Sequence, residues 1–462
     1  MTKVVTRFAP SPTGMLHIGG VRTAIYSYLF AKKHEGEFKL RIEDTDLERS
    51  TKESVDVILS GLRLLGINWD GEEVYQSSMF KKHKDIALNL VEQGKAYFAY
   101  DTKEELEAMR EETRASGKAF VYRYSHKSTQ KRDGVDPVVR MRVEAGKKII
   151  LNDLVKGAVE FDTDNIEDFI MLRPDGNSTF LFACACDDEQ MGVTHVIRGD
   201  DHLSNTPKQI LVFKARGLKE PYYGHIPLIH DASGQKLSKR RGAASVEEYL
   251  NLGFLPKALL NYLLKLGWSY GEKEYFTKEE MIKLFDIAKV VSSPARFDTD
   301  KLLSVNLHYI QNSDNQELLL FLKPLIKKTY SKDLTKEDEF RILSILNELK
   351  KNNTLVAIVK MCAPYIEGID YEAEPEAVDI VTQNKDKIPL VIRFLNDNSE
   401  DSLKTNFKEV FNIFLKENNT NFKSIGPVFR SCLIGCAHST AISEIITTLG
   451  KDECLKRLSK FL

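Results

Sequence analysis

The sequence has little cysteine, and none of it is arranged to hold a metal. Its six cysteines, Cys184, Cys186, Cys362, Cys432, Cys436 and Cys454, form no CxxC pair. No histidine stands at finger spacing from them, so no metal site and no zinc are expected. Cys184 and Cys186 read as alternate positions of a strand, small core-filling residues on one side rather than a ligand pair. No G-x-G-x-x-G follows a strand, which excludes a dinucleotide-dependent dehydrogenase. The longest apolar run, Phe180 to Cys186, is far too short to span a bilayer, and the first residues carry no apolar signal region. A cytoplasmic chain with no membrane partner is expected. Charge of one sign is lacking too: 66 basic and 67 acidic side chains leave a net charge of −1. The molecule is no polycation, and any nucleic-acid contact must come from local basic patches. Repeats, low-complexity tracts and disordered linkers are absent as well.

What is present is a soluble, globular composition, 42% hydrophobic and 29% charged, over 462 residues. That length suggests about three domains. The chain is organised around Arg7-Phe8-Ala9-Pro10-Ser11-Pro12-Thr13-Gly14-Met15-Leu16-His17-Ile18-Gly19-Gly20. An alternating apolar run, Lys3 to Phe8, predicts a strand leading into it. Pro10 and Pro12 lack N–H groups and stop that strand. Gly14, Gly19 and Gly20 let a ligand approach the backbone closely. Val21, Ala24, Ile25, Tyr28 and Leu29 have helical spacing, so His17 precedes a helix N-terminus, where free N–H groups and the helix dipole attract anions. Strand, glycine-bearing turn and helix point to a nucleotide phosphate.

The order Pro-Ser-Pro-Thr-Gly, then His-Ile-Gly-Gly, resembles the ATP-binding HIGH signature of class I aminoacyl-tRNA synthetases, in the form carried by bacterial glutamyl-tRNA synthetases. Two further motifs follow in that family's order. Leu40-Arg41-Ile42-Glu43-Asp44-Thr45-Asp46-Leu47-Glu48-Arg49-Ser50 looks like a characteristic family string; taken alone, its acidic residues would read as caps and turns. Gly234-Gln235-Lys236-Leu237-Ser238-Lys239-Arg240 is similar to the KMSKS loop, though alone it would read as a solvated basic loop. Positioned cations suit that role because displacement at phosphorus builds charge on the pyrophosphate leaving group.

Between these motifs, Phe38 to Ile42 predicts a second strand, with Ser50, Thr51 and Ser54 as caps for a helix running to Leu65. From about Met79 a helix, a charged stretch from Lys103 to Arg114 and short strands such as Val138 to Val143 read as an insertion. Its Lys127, Lys131, Arg132, Lys147 and Lys148 suit phosphate contact or a solvated loop equally. The apolar run between Asp175 and Asp188 predicts a buried parallel strand. Thr194 to His202 predicts another, ending in charge before a helix start at Ser204-Asn205-Thr206-Pro207. Arg198 at that strand end suits a carboxylate, although in isolation it would read as a surface ion pair. Tyr249 to Gly267 reads as two helices. From about Asn315 helical periodicity dominates, interrupted near Pro375 and at Asn396–Ser399.

The expected fold class is α/β: a Rossmann-like class I catalytic domain with an inserted acceptor-binding domain, followed by an all-α anticodon-binding domain. The expected boundaries are 1–78 and 175–225 for the two catalytic halves, 79–174 for the insertion, 226–314 for a stem-contact domain bearing the KLSKR loop, and 315–462 for the helical domain. The resemblance implies ATP-dependent attachment of L-glutamate to tRNA through glutamyl-adenylate, with Mg2+ accompanying ATP. It implies Pro10, His17, Gly19, Gly20, Asp201, Lys236, Ser238 and Lys239 at the nucleotide, with His17, Lys236 and Lys239 engaged in catalysis. It places Arg7, Ser11, Glu43, Phe180, Cys184 and Arg198 at glutamate, and Thr45, Asp46, Lys351 and Arg430 at tRNA.

Four departures stand out. Phe180 replaces the family's usual Tyr, and Cys184 stands where some relatives carry Asn, so both changes remove polar groups beside the amino acid. Tyr97 to Asp101 lacks the two cysteines that give some relatives a zinc site. Lys351 falls near the place where some relatives use an arginine to reject glutamine tRNA, and a single cation reads a base less selectively. The implied partners are therefore tRNA(Glu), with tRNA(Gln) as an alternative, and L-glutamate, taken up by a monomer. Rival readings are an enzyme that glutamylates glutamine tRNA for an amidotransferase and, from another class, an inactive tRNA-binding paralogue. Glutaminyl-tRNA synthetases usually carry a β-rich anticodon region, which the helical C-terminal sequence does not match.

Overall fold

The computed structural model of the chain describes residues 3–13, 16–46, 49–117, 119–125, 127–237, 245–438 and 440–462. The chain divides into two compact units, Met1–Glu248 with Leu259–Thr299, and Tyr249–Ala258 with Asp300–Leu462.

In the first unit the strands β1 (Val5–Phe8) and β2 (Glu37–Ile42) flank helix α1 (Ile18–Lys33). Helix α2 (Lys52–Leu64), capped by the Thr51 side chain, leads to the short strand β3 (Val74–Tyr75). These strands pair in parallel in the order β1-β2-β3. Such connections place helices over the sheet, so even polar strand residues such as Thr6, Arg7 and Arg41 are buried.

The antiparallel insertion follows: α3 (Phe80–Glu92), β4 (Ala96–Ala99), α4 (Lys103–Ala115), β5 (Val138–Met141), β6 (Lys148–Asp153), β7 (Gly157–Asp162) and β8 (Ile170–Leu172). Strands β4-β5-β8 form one ladder, and β6 with β7 a hairpin whose last pair is Asp153 opposite Gly157.

Helix α5 (Phe180–Gln190), β9 (His195–Gly199), α6 (Thr206–Ala215) and β10 (Tyr222–Ile226) return to the parallel arrangement. The Thr194 N–H donates to Val5 O at 2.9 Å and brings the β9–β10 ladder beside β1. The chain continues through β11 (Ile229–His230), α7 (Val246–Asn251), α8 (Pro256–Lys265), α9 (Lys278–Leu284) and β12 (Ala295–Arg296), with β11 and β12 paired in parallel.

One prediction is corrected here. Phe180 to Cys186 is the start of a helix, not a strand. An apolar run of this length is compatible with either, and a helix buried all round has no polar phase to betray it. The run does contain Ala183 and Ala185 and no β-branched residue, which favours helix. At about 100° per residue, Cys184 and Cys186 then face nearly opposite ways. Cys184 lines the cleft described below, whereas Cys186 packs in the apolar core with Phe182 and Met191.

After Arg296 every regular element among the described residues is a helix: α10 (Thr299–Gln311), α11 (Asn315–Tyr330), α12 (Lys336–Leu349), α13 (Leu355–Cys362), α14 (Pro375–Gln383), α15 (Ile388–Asp397), α16 (Glu400–Thr405), α17 (Phe407–Glu417), α18 (Phe422–Ile434), α19 (Ile442–Leu449) and α20 (Lys451–Ser459). The predicted interruptions coincide with the start of α14 and the gap between α15 and α16. Among the described residues no helix is long and apolar enough to cross a membrane.

Candidate active site

A cleft of about 560 Å³ opens at the carboxyl ends of β1, β2 and β9, where open α/β sheets bind ligands. Its lining includes Arg7, Pro10, Ser11, His17, Gly19, Gly20, Glu43, Phe180, Cys184, Arg198, Asp201 and Lys236. Every residue assigned from the sequence to ATP or glutamate is there except Ser238 and Lys239, which lie outside the described residues.

The nucleotide half is built on the start of α1. His17 is the N-cap, and its Nδ1 accepts the Gly20 N–H at 3.2 Å. An accepting Nδ1 places the proton of the neutral ring on Nε2. The loop before it is tied to β2, because the Glu43 N–H donates to Pro10 O at 3.0 Å. Opposite, Lys236 Nζ donates to Asp201 Oδ2 at 3.1 Å. Burial works against the Asp201 charge, yet this lysine holds its carboxyl below the usual range. Gly199 beside it leaves room for this placement of the carboxylate, since a Cβ there would lie 2.6 Å from Asp201 Oδ1.

The other half rests on a buried ionic cluster. Arg7 Nε donates to Asp188 Oδ1 at 3.0 Å, and Arg41 Nη1 reaches the same oxygen at 2.6 Å. Arg41 Nη2 donates to Glu43 Oε1 at 3.0 Å, and the Cys184 thiol lies 3.1 Å from that oxygen. Among the described residues Glu43 Oε2 keeps no hydrogen-bond partner. Against the cost of burial, Arg7 and Arg41 hold the Asp188 carboxyl below the ordinary carboxylate range. Burial pushes the Cys184 thiol well up, so it is a neutral donor rather than a thiolate. Arg198 is fixed by His225 at 3.1 Å and Thr206 at 2.7 Å. Its Nη1 is left without a partner among the described residues.

Phe180 and Cys184 line the cleft together because they sit four residues apart on one face of α5. The sequence reading missed Asp188, Gly199 and His202. Asp187-Asp188 was the available signal, since two acids ending an apolar run need buried partners. Asp187 finds them in His83 Nε2 and Gln76 Nε2, each at 2.6 Å.

The residues assigned to tRNA stand elsewhere. Asp46 is ion-paired with Arg49 at 2.6 Å, and neither Thr45 nor Asp46 is in the lining of the cleft. In the insertion, Arg132 pairs with Glu105 and Lys148 with Glu160. In the helical unit Lys351 is exposed, 3.9 Å from Glu348. Arg430 Nε donates to Thr440 O at 3.0 Å while its guanidinium lies over Phe422. No group of three or more His, Cys, Asp or Glu side chains that could hold a metal ion occurs among the described residues.

A parallel α/β core interrupted by an antiparallel insertion, with a capping histidine and a lysine facing across one cleft, defines a class I nucleotide-activating fold. Residues 3–304 match the family described as tRNA synthetases class I (E and Q), catalytic domain, and residues 313–462 match the anticodon binding domain. The chain belongs to this class I glutamate and glutamine tRNA synthetase family. It is 41% identical to a glutamate–tRNA ligase of Lawsonia intracellularis, over 100% of this chain and 99% of that one. It is 42% identical to glutamate–tRNA ligase 2 of Wolbachia pipientis subsp. Culex pipiens, covering 99% of each. A glutamate tRNA ligase from Elizabethkingia meningosepticum, solved in complex with its amino acid, is 29% identical and superposes with a TM-score of 0.84 over 99% of both chains.

Proposed function

We propose that the chain is a glutamate–tRNA ligase. The observation that carries this reading is the single cleft shared by the nucleotide residues His17, Gly19, Gly20, Asp201 and Lys236 and the acid-and-guanidinium set Arg7, Glu43 and Arg198. The glutamate α-carboxylate attacks the α-phosphorus of ATP, giving glutamyl-adenylate and pyrophosphate. A ribose hydroxyl of the terminal tRNA adenosine then takes the glutamyl group. Neither step needs a protein nucleophile, and the rate comes from placing the reactants and meeting developing charge with fixed donors.

In this reading the N–H groups at the start of α1 and His17 face the phosphates, with Pro10 beside the nucleotide. Lys236 and the loop residues Ser238 and Lys239 stabilise pyrophosphate. Arg198 offers Nη1 to a substrate carboxylate, Glu43 offers Oε2 to the ammonium, and Arg7, Ser11, Phe180 and Cys184 close the amino-acid side. Magnesium arrives on the ATP phosphates, as that ion commonly does, rather than in a cage of protein ligands. Insertion 79–174 takes the acceptor end with Thr45 and Asp46 nearby, and the helices from 315 onward, with Lys351 and Arg430, take the anticodon. The protein acts as a cytoplasmic monomer.

A second reading concerns tRNA choice. Lys351 is one exposed cation without a guanidinium fork, which favours acceptance of tRNA(Gln) as well. Charging purified glutamate and glutamine tRNAs with labelled glutamate tests both. Glutamate tRNA alone being charged establishes a discriminating ligase. Charging of both establishes a supplier of an amidotransferase. No charging of either refutes the ligase assignment.

A further inference from the structure

The tip of the inserted hairpin does something that neither the cleft nor the family match explains. Strand β6 ends at Asp153, whose side chain is fully buried. Its Oδ1 accepts the N–H groups of Val155 and Lys156 at 2.9 and 2.8 Å, so the carboxylate fastens its own turn. Its Oδ2 lies 2.6 Å from His225 Nδ1, and it also receives the His225 backbone N–H. A carboxylate facing Nδ1 requires a proton there, and the neutral ring then presents an accepting Nε2. Burial depresses the His225 pKa, which favours that neutral form. Arg198 Nε donates to Nε2 at 3.1 Å, and the Thr206 hydroxyl, 3.0 Å from Nε2 and 2.7 Å from Arg198 Nη2, closes the triangle. The same turn is anchored on both sides. Leu154 N–H donates to Tyr223 O at 2.8 Å, and Tyr223 lies under the Arg198 guanidinium. Lys156 Nζ reaches Asp200 at 2.8 Å, next to Asp201 of the nucleotide half.

We propose that Asp153 and His225 are positioning residues for Arg198, so that a carboxylate from the inserted hairpin sets the rotamer of the arginine that receives the substrate carboxylate. The inference rests on the ligase reading of the cleft. An arginine has several donors and a flexible stem, so it presents a defined fork only where its other N–H groups are taken up. Here Nε and Nη2 are engaged, and Nη1 remains for the ligand. Chain distance hides the arrangement, because the three residues come from a hairpin and two different strands.

The test compares KM values for glutamate, ATP and tRNA in charging of purified glutamate tRNA by the full chain. His225→Leu removes the acceptor and should raise the glutamate KM on the order of tenfold, the scale for a hydrogen bond to a charged group, with the ATP KM unchanged. His225→Gln, whose side-chain oxygen can accept from Arg198, should recover most of that loss. Equal effects of Leu and Gln, or parallel losses in kcat and every KM, would reduce His225 to a structural role and overturn the proposal. Should His225→Leu fail to fold, Asp153→Asn gives the same reading with little change in volume. A raised glutamate KM at unchanged ATP KM supports the proposal, and an unchanged glutamate KM overturns it. Failure of the unmodified chain to charge glutamate would instead refute the ligase reading, and the inference with it.

Discussion

Asp188 receives Arg7 at 3.0 Å and Arg41 at 2.6 Å while only 3% exposed. Two guanidinium groups this deeply buried are tolerable only around a counter-charge. Asp188→Asn should therefore lower stability at neutral pH by about 3–5 kcal/mol, read as a shift of the urea midpoint. The pH dependence follows from the sign of the shift. The carboxyl is held below its unfolded value of about 4, so its contribution is complete above that pH and is lost as pH falls through the lower folded value. The gap between variant and parent should narrow in melts below pH 4, and a constant gap would remove the charge from the explanation. Gly199 gives a contrasting case at the nucleotide side. A methyl placed 2.6 Å from Asp201 Oδ1 meets a movable side chain, not backbone. Gly199→Ala should leave the melting temperature nearly unchanged, yet turn Asp201 away from Lys236 and raise the ATP KM on the order of fivefold, the scale of one ordinary hydrogen bond.

Helix α5 is held as an element by its buried acid. Asp187 accepts from His83 of α3 and from Gln76 in the turn before it, while His83 Nδ1 meets Ser178 at 2.9 Å. His83→Ala would leave a cavity and an under-bonded carboxylate, together costing on the order of 2–4 kcal/mol. Because Phe180 and Cys184 ride on the same helix, the glutamate KM should rise as the melting temperature falls. A stability loss with unchanged KM would show that α5 keeps its place without this pin. The same helix marks the limit of what the sequence discloses. Strands β1, β2 and β9 were legible because short apolar runs, alternating in β1 and β2, are delimited by proline, glycine or charge. The start of α1 was legible because His17 and its glycines stand in one local motif. Helix α5 was not, since a run buried on all sides carries no phase. The Asp188 cluster and the Asp153–His225–Arg198 chain were not either, because their partners are brought together only by tertiary folding.

At the scale of the molecule, the division into two compact units cuts across chain order, because Tyr249–Ala258 belongs with Asp300–Leu462. Gly253 shows how that segment is held. Its φ is +90°, and a Cβ would lie 2.5 Å from Val356 N, a backbone atom that cannot swing aside. Leu355 N–H donates to Gly253 O at 2.9 Å, and the fully buried Asn306 accepts from Leu255 N–H at 2.8 Å while donating to Gly253 O at 3.2 Å. Gly253→Ala should strain the backbone by at least about 2 kcal/mol and loosen the helical unit, although its position in the sequence lies before α8 and α9. Cysteine placement supplies the readout. Cys184 and Cys186 lie in the first unit and Cys362, Cys432, Cys436 and Cys454 in the second, all buried. Buried thiols react on opening, so maleimide labelling across a urea series, resolved by peptide mass, reports each unit separately. In Gly253→Ala the four thiols of the helical unit should become reactive at lower urea, while Cys184 and Cys186 keep their midpoint. If Cys184 and Cys186 shift instead, the segment stabilises the catalytic unit and its assignment to the helical one is wrong. If all six shift together, the two units open as one cooperative body.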